Sequence, residues 1–378
     1  MVIRNLEKII SKRIFRNKAI VIFGARQVGK TTLVNKLISD IKEPVIVFNG
    51  DEGDTSDILV NTTSTRLKSI IGKNKLVVID EAQKIENIGL TIKLIVDNLK
   101  DVQVIATGSS AFELSNKINE PLTGRKYEYY LFPFLFQELS DNHGLLEEKR
   151  MLEHRLVFGS YPEIVNRIGE EKEHLKLIAS SYLYKDLLML DQIKKPVLLE
   201  KILKALALQI GNEVKYKELG DIVGADNETI EKYIDLLEKT YIIFRLESYS
   251  RNVRNEIRKG KKIYFIDNGI RNAIIGNYNY LESRTDVGAL WENFFISERF
   301  KLIKSFNIDR KMFFWRTTQQ QEIDLVEEEN NTLSSFEIKW NPKRKARQSK
   351  TFQNAYNNPA YTIINKNNYF DLLLHPEK

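Results

Sequence analysis

The 378-residue chain contains no cysteine, which removes any disulfide framework and any zinc site built on thiolates. Its four histidines are scattered and offer no metal-ligand spacing. No stretch approaches the roughly 18–20 consecutive apolar residues that a membrane helix needs. Residues 1–15 interleave Arg4, Glu7, Lys8, Lys12 and Arg13 where a signal peptide would be apolar. Low-complexity tracts of useful length are missing as well. These absences predict a soluble, unexported, cytoplasmic protein with no membrane partner. What is present builds cores: 42% of residues are hydrophobic and 10% aromatic, and the length suggests two or three domains. The net charge of +7 leaves room for an acidic partner such as nucleic acid, but 51 acidic residues share the surface, so the distribution of charge matters more than its total.

Apolar runs of strand length recur at residues 19–23, 45–48, 76–79 and 102–106, with helix-period segments between them. That alternation predicts an α/β domain on a parallel sheet over residues 1–140. Residues 141–195 turn helical, broken by Gly159 and Pro162, and read as a helical lid. Residues 196–275 give three short helices and strand-like runs at 241–246 and 262–266, the order of a winged helix. After a linker near 276–284, a helix at 287–304 and strands at 311–316, 322–326 and 335–340 predict a further small α/β unit over 285–378.

The segment Gly24-Ala25-Arg26-Gln27-Val28-Gly29-Lys30-Thr31 places two glycines before a Lys-Thr pair, between an apolar strand and a helix. Each position has a physical task in holding a nucleotide triphosphate. The glycines let the backbone curl so that its N–H groups face the phosphates, Lys30 neutralises the terminal phosphates, and the Thr31 hydroxyl reaches Mg²⁺, with Thr32 alongside at the helix start. The run at 75–79 delivers Asp80 and Glu81 to the carboxyl end of a buried strand, where ligands of open parallel sheets sit. Asp80 would hold the metal through water. Glu81 would orient and polarise the attacking water of ATP hydrolysis. A third strand ends in Thr107-Gly108-Ser109-Ser110, whose hydroxyls either touch the γ-phosphate or its water or, at Ser109 and Ser110, cap the next helix. Arg125, after Gly124, is either a solvated side chain or an arginine finger, acting in its own subunit or on a neighbour's nucleotide in a homo-oligomer.

The segments GARQVGKTTL, VVIDEAQKI, ATGSSAFEL, LTGRKYEYYLFPFLFQE and FGSYPEIV, followed by KIYFIDNGI, GALWENFFISE, EIDLV and FEIKW, resemble prokaryotic ATPases of the AAA superfamily with a DUF4143-type carboxy-terminal region. The resemblance covers nearly the whole chain. It implies an AAA-type core, a winged helix and a nuclease-like terminal domain, and implies little about substrate. Gly159, Ser160, Tyr161 and Pro162 resemble the lid signature of ATPases that act as signalling switches.

In the expected winged helix, Leu219, Ile222 and Val223 would pack against Ile230, Ile234 and Leu237, with Asp226 or Asn227 as the N-cap of the second helix. That helix carries Glu228, Glu231, Asp235 and Glu238, which repel phosphates, so ordinary groove reading is disfavoured. The wing carries Arg251, Arg254, Arg258, Lys259, Lys261 and Lys262, a basic set for DNA or RNA or else for an interdomain contact. Near the carboxy terminus, Asp324 falls on one strand and Glu337 and Lys339 on one face of the next. A hairpin would set two carboxylates for a metal beside a lysine, the constellation of PD-(D/E)XK nucleases, with Glu292 resembling their additional acid and Ile323 replacing the usual proline. Lys343, Arg344, Lys345, Arg347 and Lys350 follow as a basic patch. Together these residues predict an Mg²⁺-dependent ATPase controlling a module that acts on nucleic acid. The alternatives are a signalling switch whose terminal domains bind protein, and a small-molecule kinase, which would leave Asp324, Glu337 and Lys339 idle.

Overall fold

The runs at 19–24 and 103–108 are buried at every position, as strands covered on both faces are. In the computed structural model, which describes residues 2–108, 121–181, 195–250 and 260–375, they form the middle of a five-stranded sheet. Its strands are β1 (Ala19–Gly24), β2 (Val45–Asn49), β3 (Leu76–Asp80), β4 (Gln103–Gly108) and β5 (Lys126–Leu131), in the order β2-β3-β4-β1-β5. Every pairing is parallel. β1 therefore has neighbours on both sides, and the residues leaving its carboxyl end open onto the crevice where parallel sheets take ligands. This sheet belongs to the first of two compact units, Met1–Phe132; the second is Pro133–Lys378.

In the second unit the helices Phe136–His143, Leu145–Arg150, Leu152–Phe158, Pro162–Asn166 and Glu171–Ser181 come first. The rest of the helical run expected up to residue 195 includes 182–194, which lie outside the described residues. Helix Leu152–Phe158 is fastened to helix Asn268–Ile275 by two buried asparagines: Asn272 Nδ2 donates to the carbonyls of Val157 (2.8 Å) and Leu156 (3.2 Å), and Asn268 Nδ2 to Leu156 (3.2 Å) and Leu290 (3.0 Å). The bonds to Leu156 and Val157 satisfy carbonyls left over at the carboxyl end of helix Leu152–Phe158. Ser160 of the lid-like segment donates its N–H to Asp267 Oδ2 at 2.8 Å.

A seven-stranded sheet follows, in the order β12-β11-β10-β9-β7-β8-β6. Its strands are β6 (Glu213–Val214), β7 (Ile243–Ser248), β8 (Lys261–Phe265), β9 (Lys311–Arg316), β10 (Glu322–Glu329), β11 (Thr332–Ile338) and β12 (Ala360–Ile364). Strands expected in a winged helix and strands expected in the terminal unit run in this one sheet, joined where β7 pairs parallel to β9 through Glu247↔Phe313 and Ser248↔Phe314. Asp226 is the N-cap of helix Asn227–Lys239, accepting from Thr229 N at 2.8 Å. Leu219, Val223, Ile230, Ile234 and Leu237 are buried as expected, whereas Ile222 is 60% exposed and does not pack with them. Two of the four carboxylates expected to face outward from that helix are turned to β7: Arg245 holds Asp235 at 2.7 Å and Glu238 at 2.7 Å. The long helix Val287–Phe306 is buried on most sides, with Trp291 wedged edge-on between Trp340 and Tyr369. No helix among the described residues is long and apolar enough to cross a membrane.

Candidate functional site

The loop after β1 turns into helix Lys30–Ser39 through Gly29, whose φ of +94° lies in the left-handed region that suits glycine. Lys30 is buried, and its Nζ donates to the carbonyls of Gly24 and Ala25, each at 2.9 Å, which draws the ammonium back over the loop. Ala25 and Val28 are buried, Arg26 is half-buried, and Gln27, Thr31 and Thr32 are exposed. Behind the loop, the buried Arg4 donates its guanidinium to the carbonyl of Val28. Arg4 precedes helix Asn5–Ser11 and adds positive charge near an anion-binding loop. No motif in the sequence marks Arg4 for this position.

At the neighbouring strand ends, Thr31 Oγ1 donates to Asp80 Oδ2 at 2.9 Å, and the buried Thr107 donates to Asp80 Oδ1. Thr107 Oγ1 also accepts the Glu81 N–H at 3.2 Å, shared with Asp80 Oδ1 at 3.2 Å. Glu81 itself is left-handed, at φ 48° and ψ 42°. A non-glycine residue there costs about 1–2 kcal/mol. That backbone is tolerated because residue 50 is a glycine: a Cβ on Gly50 would meet the Glu81 carbonyl oxygen at 2.3 Å. The Glu81 carboxylate is held from within the chain by Gln83 Nε2 at 2.5 Å. The Thr107 hydroxyl, expected at the γ-phosphate or its water, here engages Asp80 and Glu81, and Gln83 is a site residue that no sequence signal marked.

Arg125 stands elsewhere. It precedes β5, where Ala19 pairs with Lys126, so it lies at the amino ends of the strands, a β1 length of roughly 17 Å from the phosphate loop. Its Nε is paired with Asp97 Oδ1 at 2.8 Å. As a finger within its own chain this residue is misplaced, because a parallel sheet puts residues before its strands at the end opposite the crevice. Ser109 and Ser110 lie outside the described residues.

In the second unit, β10 and β11 form an antiparallel hairpin, with left-handed Asn330 and Asn331 at its turn. Asp324, one step beyond the Leu325↔Phe336 pair, meets the next strand's charges. Lys339 Nζ lies 2.6 Å from Glu337 Oε1 and 3.3 Å from Asp324 Oδ2, and Asp324 Oδ2 also accepts the Ile338 N–H at 2.7 Å. Glu292 is bound differently: Lys262 Nζ reaches its Oε1 at 3.1 Å and Glu322 Oε1 at 2.5 Å, and Tyr264 donates to Glu292 Oε1 at 2.7 Å. Burial pushes Glu292 above the usual carboxylate range; Lys262 pulls the other way and Asp324 adds to the push. Burial and then Asp324 likewise raise Glu337 against the pull of Lys339.

The expected metal site therefore does not fit as arranged. Lys339 bridges the two carboxylates assigned to the ion, and no three Asp, Glu, His or Cys side chains among the described residues are grouped to hold a metal. Lys262 is a second correction: expected on an exposed basic wing, it is 1% exposed, because β8 alternation turns it inward onto two carboxylates. Lys261 stays near the surface, 3.9 Å from Glu247, and Arg251, Arg254, Arg258 and Lys259 lie outside the described residues. The patch of Lys343, Arg344, Lys345, Arg347 and Lys350 is exposed throughout.

Residues 16–140 match the family described as an AAA domain, residues 149–280 a domain of unknown function designated DUF8612, and residues 287–372 the domain of unknown function DUF4143. An uncharacterized protein of Mycobacterium tuberculosis is 24% identical over 334 residues, 87% of this chain and 72% of its own length. One from Haemophilus influenzae is 27% identical over 187 residues, 47% of this chain and 46% of its own. Among solved structures, a Walker-type ATPase of Pyrococcus abyssi covers 73% of this chain and 96% of its own, with 15% identity and a TM-score of 0.49. In chain order, the sequence therefore carries a segment similar to the AAA domain, one similar to DUF8612 and one similar to DUF4143.

Proposed function

We propose that the chain is an Mg²⁺-dependent ATP hydrolase whose nucleotide state controls a carboxy-terminal nucleic-acid-binding module. The observation that carries the hydrolase is the convergence of Thr31, Asp80 and Thr107 at the crevice end of the parallel sheet, beside the loop that holds Lys30. The Thr31 hydroxyl at the start of its helix and the Asp80 carboxylate at the end of β3 are the hard oxygen donors Mg²⁺ takes, so the residues fit the ion. When bound, Mg²⁺ would neutralise charge on the β- and γ-phosphates. Lys30 would turn its ammonium from the loop carbonyls to the phosphates. Glu81, its backbone set by Thr107 and its carboxylate by Gln83, would orient the attacking water and draw off its proton. The test is ATP turnover by Lys30→Ala against the parent. Loss of turnover is expected, and equal turnover would sink the assignment.

For the module, helices Pro196–Leu208, Tyr216–Val223 and Asn227–Lys239 with β6, β7 and β8 support a winged-helix reading, and the β10–β11 hairpin supports a nuclease-like one. Nucleic acid would be held by the exposed basic patch at 343–350, through phosphates and hence in a salt-dependent way. One observation favours a second reading, a signalling switch with a terminal domain that cleaves nothing: lysines occupy the carboxylate cluster. Turnover with and without DNA and RNA, with strand cleavage followed on the same sample, separates the two. Salt-sensitive stimulation supports the nucleic-acid reading, and its absence moves the switch ahead.

A further inference from the structure

Two residues of the phosphate loop are left-handed, Gln27 at φ 60° and Gly29 at φ 94°, with Val28 between them. Glycine takes that region freely, but a glutamine holds it only where the surroundings impose it. The Gln27 side chain is exposed, so its own packing does not supply the constraint. Val28 is fully buried, and its carbonyl accepts the guanidinium of Arg4. Arg4 is firmly seated. It is 7% exposed, stands in extended backbone as the N-cap of helix Asn5–Ser11, and lies between the buried Val2 and Leu6. A Cβ on Gly29 would come to 3.9 Å from Arg4 Nη2, so the guanidinium covers that side of the glycine.

The peptide between Val28 and Gly29 is trans, which sets its C=O and N–H in opposite directions. A carbonyl held toward Arg4 therefore points the Gly29 N–H away from the buried side. No carbonyl among the described residues accepts that N–H. We propose that Arg4 is a positioning residue for the nucleotide: by holding the Val28 carbonyl it aims the Gly29 N–H at the phosphates. The amino-terminal helix thereby sets the affinity of the loop. Left-handed residues on both sides of Val28 make the kind of concavity in which backbone N–H groups converge on an anion. This inference rests on the ATPase reading and adds the residue that keeps the loop in its binding shape. Loop N–H groups of this kind face phosphates that ATP and ADP share, so Arg4 serves the binding of both.

The test compares the parent, Arg4→Met and Arg4→Lys in the full chain, by calorimetric titration with Mg-ADP and by turnover over a range of ATP concentrations. Methionine keeps an apolar stem and removes the donor. Misaiming one N–H that bonds a charged group should weaken ADP about tenfold and raise KM for ATP equally, with kcat within about twofold of the parent. Arg4→Lys keeps a single donor in place of the planar fork and should fall between, about threefold weaker than the parent. A protein that is merely less folded loses kcat with its unfolded fraction and keeps its KM. That pattern overturns the proposal, as does parental ADP affinity in an Arg4→Met protein shown to be folded by circular dichroism. Should Arg4→Met fail to fold, Arg4→Lys decides, and parental KM and ADP affinity there overturn the proposal. A parent that binds no ADP sinks the ATPase reading itself, whereas a parent that binds ADP no better than folded Arg4→Met sinks the role of Arg4 alone.

Discussion

Thr107→Val is the perturbation that asks most of the proposed hydrolytic site. Valine keeps the volume of a fully buried side chain, so packing is retained and only the hydroxyl is removed. The lost groups are a donor to Asp80 Oδ1 and an acceptor for the Glu81 N–H. A hydrogen bond to a charged acceptor contributes about 1.5–3 kcal/mol. If most of that is spent holding Asp80 and Glu81 in their reactive positions, turnover falls about tenfold to a hundredfold, at about 1.4 kcal/mol per decade. Nucleotide affinity should change little, because Lys30 and the loop are untouched. The assay is phosphate release at saturating ATP beside a fluorescent-nucleotide titration, with Thr107→Ser included. Serine restores the hydroxyl and should recover most of the rate. If Thr107→Val turns over like the parent, or loses affinity and not rate, Thr107 does not position the acidic pair.

Glu81→Gln should bind ATP as the parent does and barely hydrolyse it, since the cradle is intact and the base is gone; normal turnover would mean another base. Arg125→Ala should leave the turnover of a lone chain unchanged and shift stability by less than about 1 kcal/mol, as exposed ion pairs do. A fall in rate that is rescued by mixing with Lys30→Ala chains would instead assign Arg125 to a neighbouring copy's nucleotide. Burial would raise the Asp286 pKa, but hydrogen bonds from Arg284 and Arg271 outweigh it and hold the group down from 3.8 to about 2. The stability this contributes, about 2 kcal/mol, is therefore present above pH 4 and lost as pH falls toward 2. Urea denaturation of parent and Asp286→Asn should show a gap at pH 7 that closes over that interval, and a gap independent of pH would contradict the linkage.

The parallel sheet and the phosphate loop were legible because their signals are local. An apolar strand, a glycine turn and a lysine lie within a dozen residues, and Asp80 follows directly on its own strand. Lys262 was illegible for the opposite reason. Its partners Glu292 and Glu322 are distant in sequence, and a lysine among basic neighbours reads as surface until those acids are known to face it. Which of the alternatives for Arg125 holds is not legible locally, because the motif gives its proximity to β5 but not the end of the sheet at which β5 begins. Lys339 was placed on a strand that ends at Ile338, yet it still reaches Glu337 and Asp324 because a long side chain tolerates a one-residue error. β12 has no comparable signal: its five residues are mostly exposed or half-exposed and only Ile364 is buried, so they carry no apolar run of their own.

The pairing of β7 with β9 also matters while the chain is being made. Once β8 has folded back on one side of β7, the other edge waits for β9, which begins at Lys311, long after β7 ends at Ser248. At about 5–20 residues per second, the ribosome leaves that edge unpaired for several seconds. An open edge is a template for foreign strands. Glu247 lies on it, a charge of the kind that discourages such pairing. A chain stopped before residue 311 never receives its covering strand and carries an adhesive edge for good.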